Sequence, residues 1–132
     1  MGAAERYVRQ IRIAEAFLEC AVDGVEYAVG LTDLEPQAGA CTTGDDIARD
    51  GDRVIERLHD WWKTLPDKSC RQPVQTFYGP QSLHELLERS TWHSAQHARQ
   101  LIDVLERHGI DPDGPLREED LAGLPLPKGL FE

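Results

Sequence analysis

Apolar residues recur at three- and four-residue intervals through three long stretches of this chain, and stretches rich in Pro, Gly and Asp separate them. That spacing puts apolar side chains along one side of a helix, which must then be buried against another element. The first stretch runs from about Ala3 to Ala28 or Gly30. It carries two adjoining stripes, Tyr7, Ala14, Phe17, Ala21 and Ala28, and Val8, Ile11, Leu18, Val22, Val25 and Val29. A stripe this wide predicts contact with two neighbouring helices. Gln10 interrupts the first stripe one turn before Ala14, either setting register or lining a site.

The second stretch opens at Thr43, a residue type that caps helix starts, followed by Asp45 and Asp46 at the positive helix end. It ends at Leu65, before Pro66, and places Ile47, Val54, Ile55, Leu58, Trp62 and Leu65 in the core. The third opens with a capping box at Ser82 and Glu85 and closes at Gly109, which can take a left-handed conformation. Leu31–Gly44 and Asp67–Pro80 read as loops and nothing reads as a sheet. The tail from Ile110 to Glu132 is expected to pack back through Leu124, Leu126, Leu130 and Phe131, with a turn of helix near Glu118–Ala122. The expected fold is all-α, an up-down helical bundle with three long helices and an ordered C-terminal tail, and residues 1–132 form a single domain.

His93 and His97 stand four apart in the third helical stretch, so both imidazoles leave one face about one turn apart. The same face carries Leu86, Leu101 and Leu105. Neutral imidazole suits zinc, nickel, copper or iron, and two such rings can share one ion. The bland alternative is a pair satisfied by a backbone carbonyl, a carboxylate or solvent. A third ligand would have to come from elsewhere; Glu15 and His59 are the acidic and imidazole candidates.

Charge excludes some functions. With 24 acidic residues against 14 basic ones the formal net charge is -10, a surface that repels nucleic-acid phosphates and anionic membranes. No apolar run reaches membrane-span length and no signal peptide opens the chain, so a cytoplasmic location is expected. Cys20, Cys41 and Cys70 are too few and too scattered for a disulfide framework; Cys20 reads as a buried hydrophobe and the other two as loop thiols.

Two segments carry a resemblance. Tyr78-Gly79-Pro80-Gln81 and Trp92-His93-Ser94-Ala95-Gln96-His97-Ala98-Arg99-Gln100-Leu101 resemble the DinB-like (damage-inducible) superfamily. The tail, Gly109-Ile110-Asp111-Pro112-Asp113-Gly114-Pro115-Leu116 and Asp120-Leu121-Ala122-Gly123-Leu124-Pro125, is similar to the branch found beside glutaredoxin-like proteins. The likeness runs from about Asp46 to Glu132, and Arg6-Tyr7 and Glu15-Ala16-Phe17-Leu18 resemble the family's second helix.

The resemblance implies a four-helix bundle of DinB-like type with a metal held by three histidines. His93 and His97 match two of them, and the third falls at Gln10, whose neutral amide is a poor substitute for imidazole. Relatives include thiol-dependent transferases and isomerases, so the implied cofactors are a divalent transition metal, zinc or nickel, and a low-molecular-weight thiol. The implied partner is a small-molecule substrate. His93, His97 and Gln10 become the catalytic candidates, with Arg99 and Gln100 as contacts to bound groups or to the ligands. The alternative is a metal-free member that binds a small molecule, serves as an accessory subunit, or uses a histidine as general base. Five residues precede Arg6, and the family's first helix is therefore expected to have no counterpart here. The expected consequence is an apolar groove covered in a homodimer, or by a partner subunit supplying that helix.

Overall fold

The computed structural model describes residues 3–33 and 43–131, and the side chains of all of these except 3–7. Cys41 therefore lies outside the described residues. The chain is mostly helical: α1 spans Ala3–Asp23, α2 Gly44–Thr64, α3 Leu83–Arg107 and α4 Glu118–Leu121. A two-stranded antiparallel sheet, β1 (Pro73–Thr76) and β2 (Gly79–Ser82), precedes α3. None of the described helices is long and apolar enough to cross a membrane. The chain divides into two compact units, Met1–Leu87 and Glu88–Glu132.

In the first unit α1 and α2 pack on each other around Phe17, whose ring meets Trp61 edge-on at 5.1 Å. Phe17, Leu18, Cys20, Val54, Cys70, Val74, Leu83 and Leu86 make the core. Burying a residue such as Phe17, Leu18, Leu83 or Leu86 contributes about 1.5–3 kcal/mol each. The caps act as their sequence implies. Thr43 Oγ1 accepts from Asp46 N–H at 3.1 Å. Ser82 Oγ accepts from Glu85 N–H at 3.1 Å, and Glu85 Oε1 accepts from Ser82 N–H at 3.3 Å. Not every expected core position is buried: Ile55 and Trp62 lie on the exposed side of α2, at 52% and 42% exposure.

Two expectations are corrected here. The helical reading to Ala28 or Gly30 fails because α1 stops at Asp23. Gly24 takes φ +69, which glycine adopts without steric cost, and Val25 N–H turns back to Glu19 O at 3.3 Å. The following segment then joins the sheet. Tyr27 N–H donates to Gln75 O at 2.8 Å and Phe77 N–H to Tyr27 O at 2.9 Å, forming a parallel bridge on β1. The expected loop Asp67–Pro80 likewise contains a hairpin. Thr76 pairs with Gly79 across a turn of Phe77 and Tyr78, and Val74 and Thr76 alternate inward while Pro73 and Gln75 face out. A helical class thus holds, with a sheet that a purely helical reading leaves out.

Cys70, expected in a loop, is 2% exposed and sits in the core with φ +52. A left-handed cysteine costs about 1–3 kcal/mol, which the surrounding packing must offset. That conformation aims its carbonyl at His84 N–H, 2.8 Å away, while Gln72 O accepts from Leu83 N–H at 2.9 Å. The first amides of α3 are satisfied in this way.

The second unit begins within α3. The helix ends in a Schellman arrangement, with Gly109 at φ +69, Gly109 N–H to Glu106 O at 3.0 Å and Ile110 N–H to Leu105 O at 2.9 Å. The chain then passes through α4, where Arg117 N–H donates to Asp120 Oδ2 at 2.8 Å. It returns to the side of α3, where the Arg107 guanidinium stands 5.7 Å from the centre of the Phe131 ring.

Candidate functional site

Helical spacing brings His93 and His97 together on α3, with ring centres 4.8 Å apart and planes at 65°. Trp92 flanks His93 at 5.7 Å. Gln96, one residue before His97, is 6% exposed, a rare position for an amide unless it is hydrogen-bonded. Its NH2 donates to Gly129 O at 3.1 Å and Leu130 O at 2.7 Å. Its oxygen accepts from Arg99 Nη1 at 2.8 Å. Gln100, one turn on, donates from Nε2 to Leu130 O at 2.8 Å and presents Oε1 to His97 Nδ1 at 3.0 Å.

These contacts fix the chemistry of His97. A main-chain carbonyl only accepts, so the Gln100 NH2 must face Leu130 and the amide oxygen must face the imidazole. An amide oxygen also only accepts, so neutral His97 carries its proton on Nδ1. The lone pair is then on Nε2, the nitrogen available to a metal or to a substrate proton. The Leu130 carbonyl takes one hydrogen bond from each glutamine, which uses both of its lone pairs.

The predicted residues divide between the two units. His93, His97, Arg99 and Gln100 share one stretch of α3 in the second unit. Arg99, expected to meet a bound group, directs Nη1 to Gln96. Gln10 belongs to the first unit, where both atoms of its amide are buried without a hydrogen-bond partner among the described residues. Glu15, also in the first unit, lies 3.9 Å from Arg53. His59 is exposed on α2. Gln96 and the carbonyls of Gly129 and Leu130 were missed by sequence reasoning. The only signal was two glutamines four apart, interleaved with the histidine pair.

The donor set fits a transition metal in part. The ring centres are 4.8 Å apart, imidazole is a ligand that such ions favour, and one of the two rings is oriented through its other nitrogen. Among the described residues, no group of three or more His, Cys, Asp or Glu side chains is gathered for a metal. Among the described residues an ion here would have two imidazole ligands, with its other positions open to water or to a bound molecule.

Both described cysteines, Cys20 and Cys70, are buried. Burial, with help from the neighbouring Glu19 charge, pushes the Cys20 thiol up to about 11. Cys20 borders a cleft of about 330 Å³ with Gly24, Val25, Glu26, Pro73, Val74 and Gln75. No family model, curated protein or solved structure matches the chain.

Proposed function

We propose that this protein acts on a small molecule through the His93–His97 pair, as a two-imidazole site for a divalent transition metal, zinc or nickel. The observation that carries the reading is His97, whose Nδ1 is held by Gln100 and whose ring centre lies 4.8 Å from that of a second imidazole. The likeness of Trp92–Leu101 to DinB-like proteins supports it and suggests thiol transfer, isomerisation or hydrolysis, with a low-molecular-weight thiol as co-substrate. When bound, the metal would lower the pKa of a coordinated thiol or water. The chain's own contribution is to hold two imidazoles side by side, fix the proton of one on Nδ1 when it is neutral, and keep that ring from rotating. The proposal extends to a homodimer and to a location in the cytoplasm.

Calorimetry with zinc and nickel chloride on untagged, chelator-treated protein tests the site. One equivalent is expected for the wild type, with at least a 100-fold loss in His93→Ala/His97→Ala. Equal affinity in both proteins would remove the metal reading. A second reading rests on His97 alone: an imidazole with Nδ1 held and Nε2 open is the arrangement of a general base and needs no metal. Activity that survives chelation and is lost in His97→Ala would select it.

A further inference from the structure

We infer that Gln100 is a positioning residue for His97, and that the main-chain carbonyl of Leu130, 30 residues away, sets its orientation. The inference deepens the proposed function, since its consequence for binding rests on His97 acting through Nε2. The geometry is a relay of three groups. Leu130 O accepts from Gln100 Nε2 at 2.8 Å, and Gln100 Oε1 accepts from His97 Nδ1 at 3.0 Å. Rotating the amide by half a turn would set an NH2 against a protonated nitrogen on one side and an oxygen against a carbonyl on the other. Both contacts would become repulsive, so the two ends of the relay enforce each other.

Gln96 reinforces this setting from the next position on the same face. Its NH2 donates to the same Leu130 carbonyl and to that of Gly129. The Gln96 amide cannot turn either, because Arg99 Nη1 is a donor and requires the oxygen. Two amides thus fix one carbonyl, and that carbonyl fixes the amide that faces His97. The segment at Gly129 and Leu130 therefore reaches His97 through hydrogen bonds of its main chain. Without an acceptor at Nδ1, imidazole in water favours the opposite tautomer, protonated on Nε2, which cannot bind a metal or accept a proton there. An oriented partner on the second ring nitrogen commonly carries 10- to 100-fold in metal affinity.

The test is long-range proton–nitrogen NMR on full-length, metal-free protein with nitrogen-15 histidine, at a pH where His97 is neutral. The wild type is expected to show His97 protonated on Nδ1 with an unprotonated Nε2. Gln100→Leu, which is near in size but offers no acceptor, should move His97 toward the Nε2-protonated form and weaken zinc binding about 10- to 100-fold. Gln100→Glu keeps an acceptor for Nδ1, although its second oxygen must turn away from the Leu130 carbonyl, and should retain the wild-type tautomer. Wild-type His97 protonated on Nε2 overturns the inference without need of any variant, as does an unchanged tautomer in folded Gln100→Leu. The tautomer is read without metal, so a wild type that shows the expected form yet binds no zinc would sink the metal reading and leave the positioning role intact.

Discussion

The carboxylate of Glu19 is gripped by both terminal nitrogens of Arg12, at 2.8 and 3.1 Å, and the Arg12 Nε reaches Leu31 O at 3.0 Å. One side chain thus joins the body of α1 to the turn that follows it. The Arg12 hydrogen bonds hold the Glu19 carboxyl below its ordinary value of 4.5, against the opposing effect of burial. A lowered acid pKa favours the folded state above the unfolded value, and the benefit disappears as pH falls through the folded value. Stability should therefore drop on acidification below about pH 4.5, and Glu19→Gln should flatten that part of the profile. The pair is partly exposed, so its worth at neutral pH is about 1 kcal/mol or less. Urea unfolding of both proteins from pH 7 down to the lowest pH at which they stay folded is the measurement; parallel profiles would show that Glu19 is not responsible. Gln10, on the same helix, shows the opposite case: an amide at a seam position whose atoms are buried without a partner among the described residues. The sequence marked it as anomalous, and the structure keeps it so.

The starts of α2 and α3 and the close of α3 were the most readable features, because caps are decided within about four residues of sequence. Thr43, the Ser82–Glu85 box and Gly109 each form the contacts their residue types imply. Gly109 at φ +69 is held in a region that costs a residue with a Cβ roughly 1 kcal/mol, so Gly109→Ala should destabilise by about that amount. Gly44 provides the control. It opens α2 without a positive φ, and a Cβ there would meet nothing within 4 Å, so Gly44→Ala should be neutral or slightly stabilising. Urea midpoints compared at constant slope separate the two outcomes, and an equal effect at both sites would defeat the argument. The hairpin was less readable. Its strands are four residues each, and Pro73, Gly79 and Pro80 look like loop residues until Val74 and Thr76 are seen to turn inward. Its second edge contact comes from Tyr27, far away in sequence, which no local pattern announces.

At the scale of the molecule, the stripe expected to need a partner divides in two. Leu18 is 1% exposed within the core of the first unit, whereas Val22, Val25 and Val29 are 59%, 40% and 79% exposed. The proposed homodimer therefore has to use the end of α1 and the segment after it. Light scattering at micromolar concentration is expected to give about twice the 14.8 kDa chain mass, and Val22→Asp/Val25→Asp should return the protein to a monomer. A wild-type particle of 14.8 kDa would end the proposal. Contact range explains which features could be read in advance. Three long helices, their caps and the shared face of His93 and His97 follow from interactions between residues three or four apart, which composition and period encode directly. How the segment after α1 joins the sheet, how the hairpin is edged and which side of α2 is buried depend on partners distant in the chain. The tautomer of His97 belongs with them. It is chosen by a carbonyl at Leu130, and a main-chain carbonyl is the same at every residue, so nothing in the amino-acid identity could have singled it out.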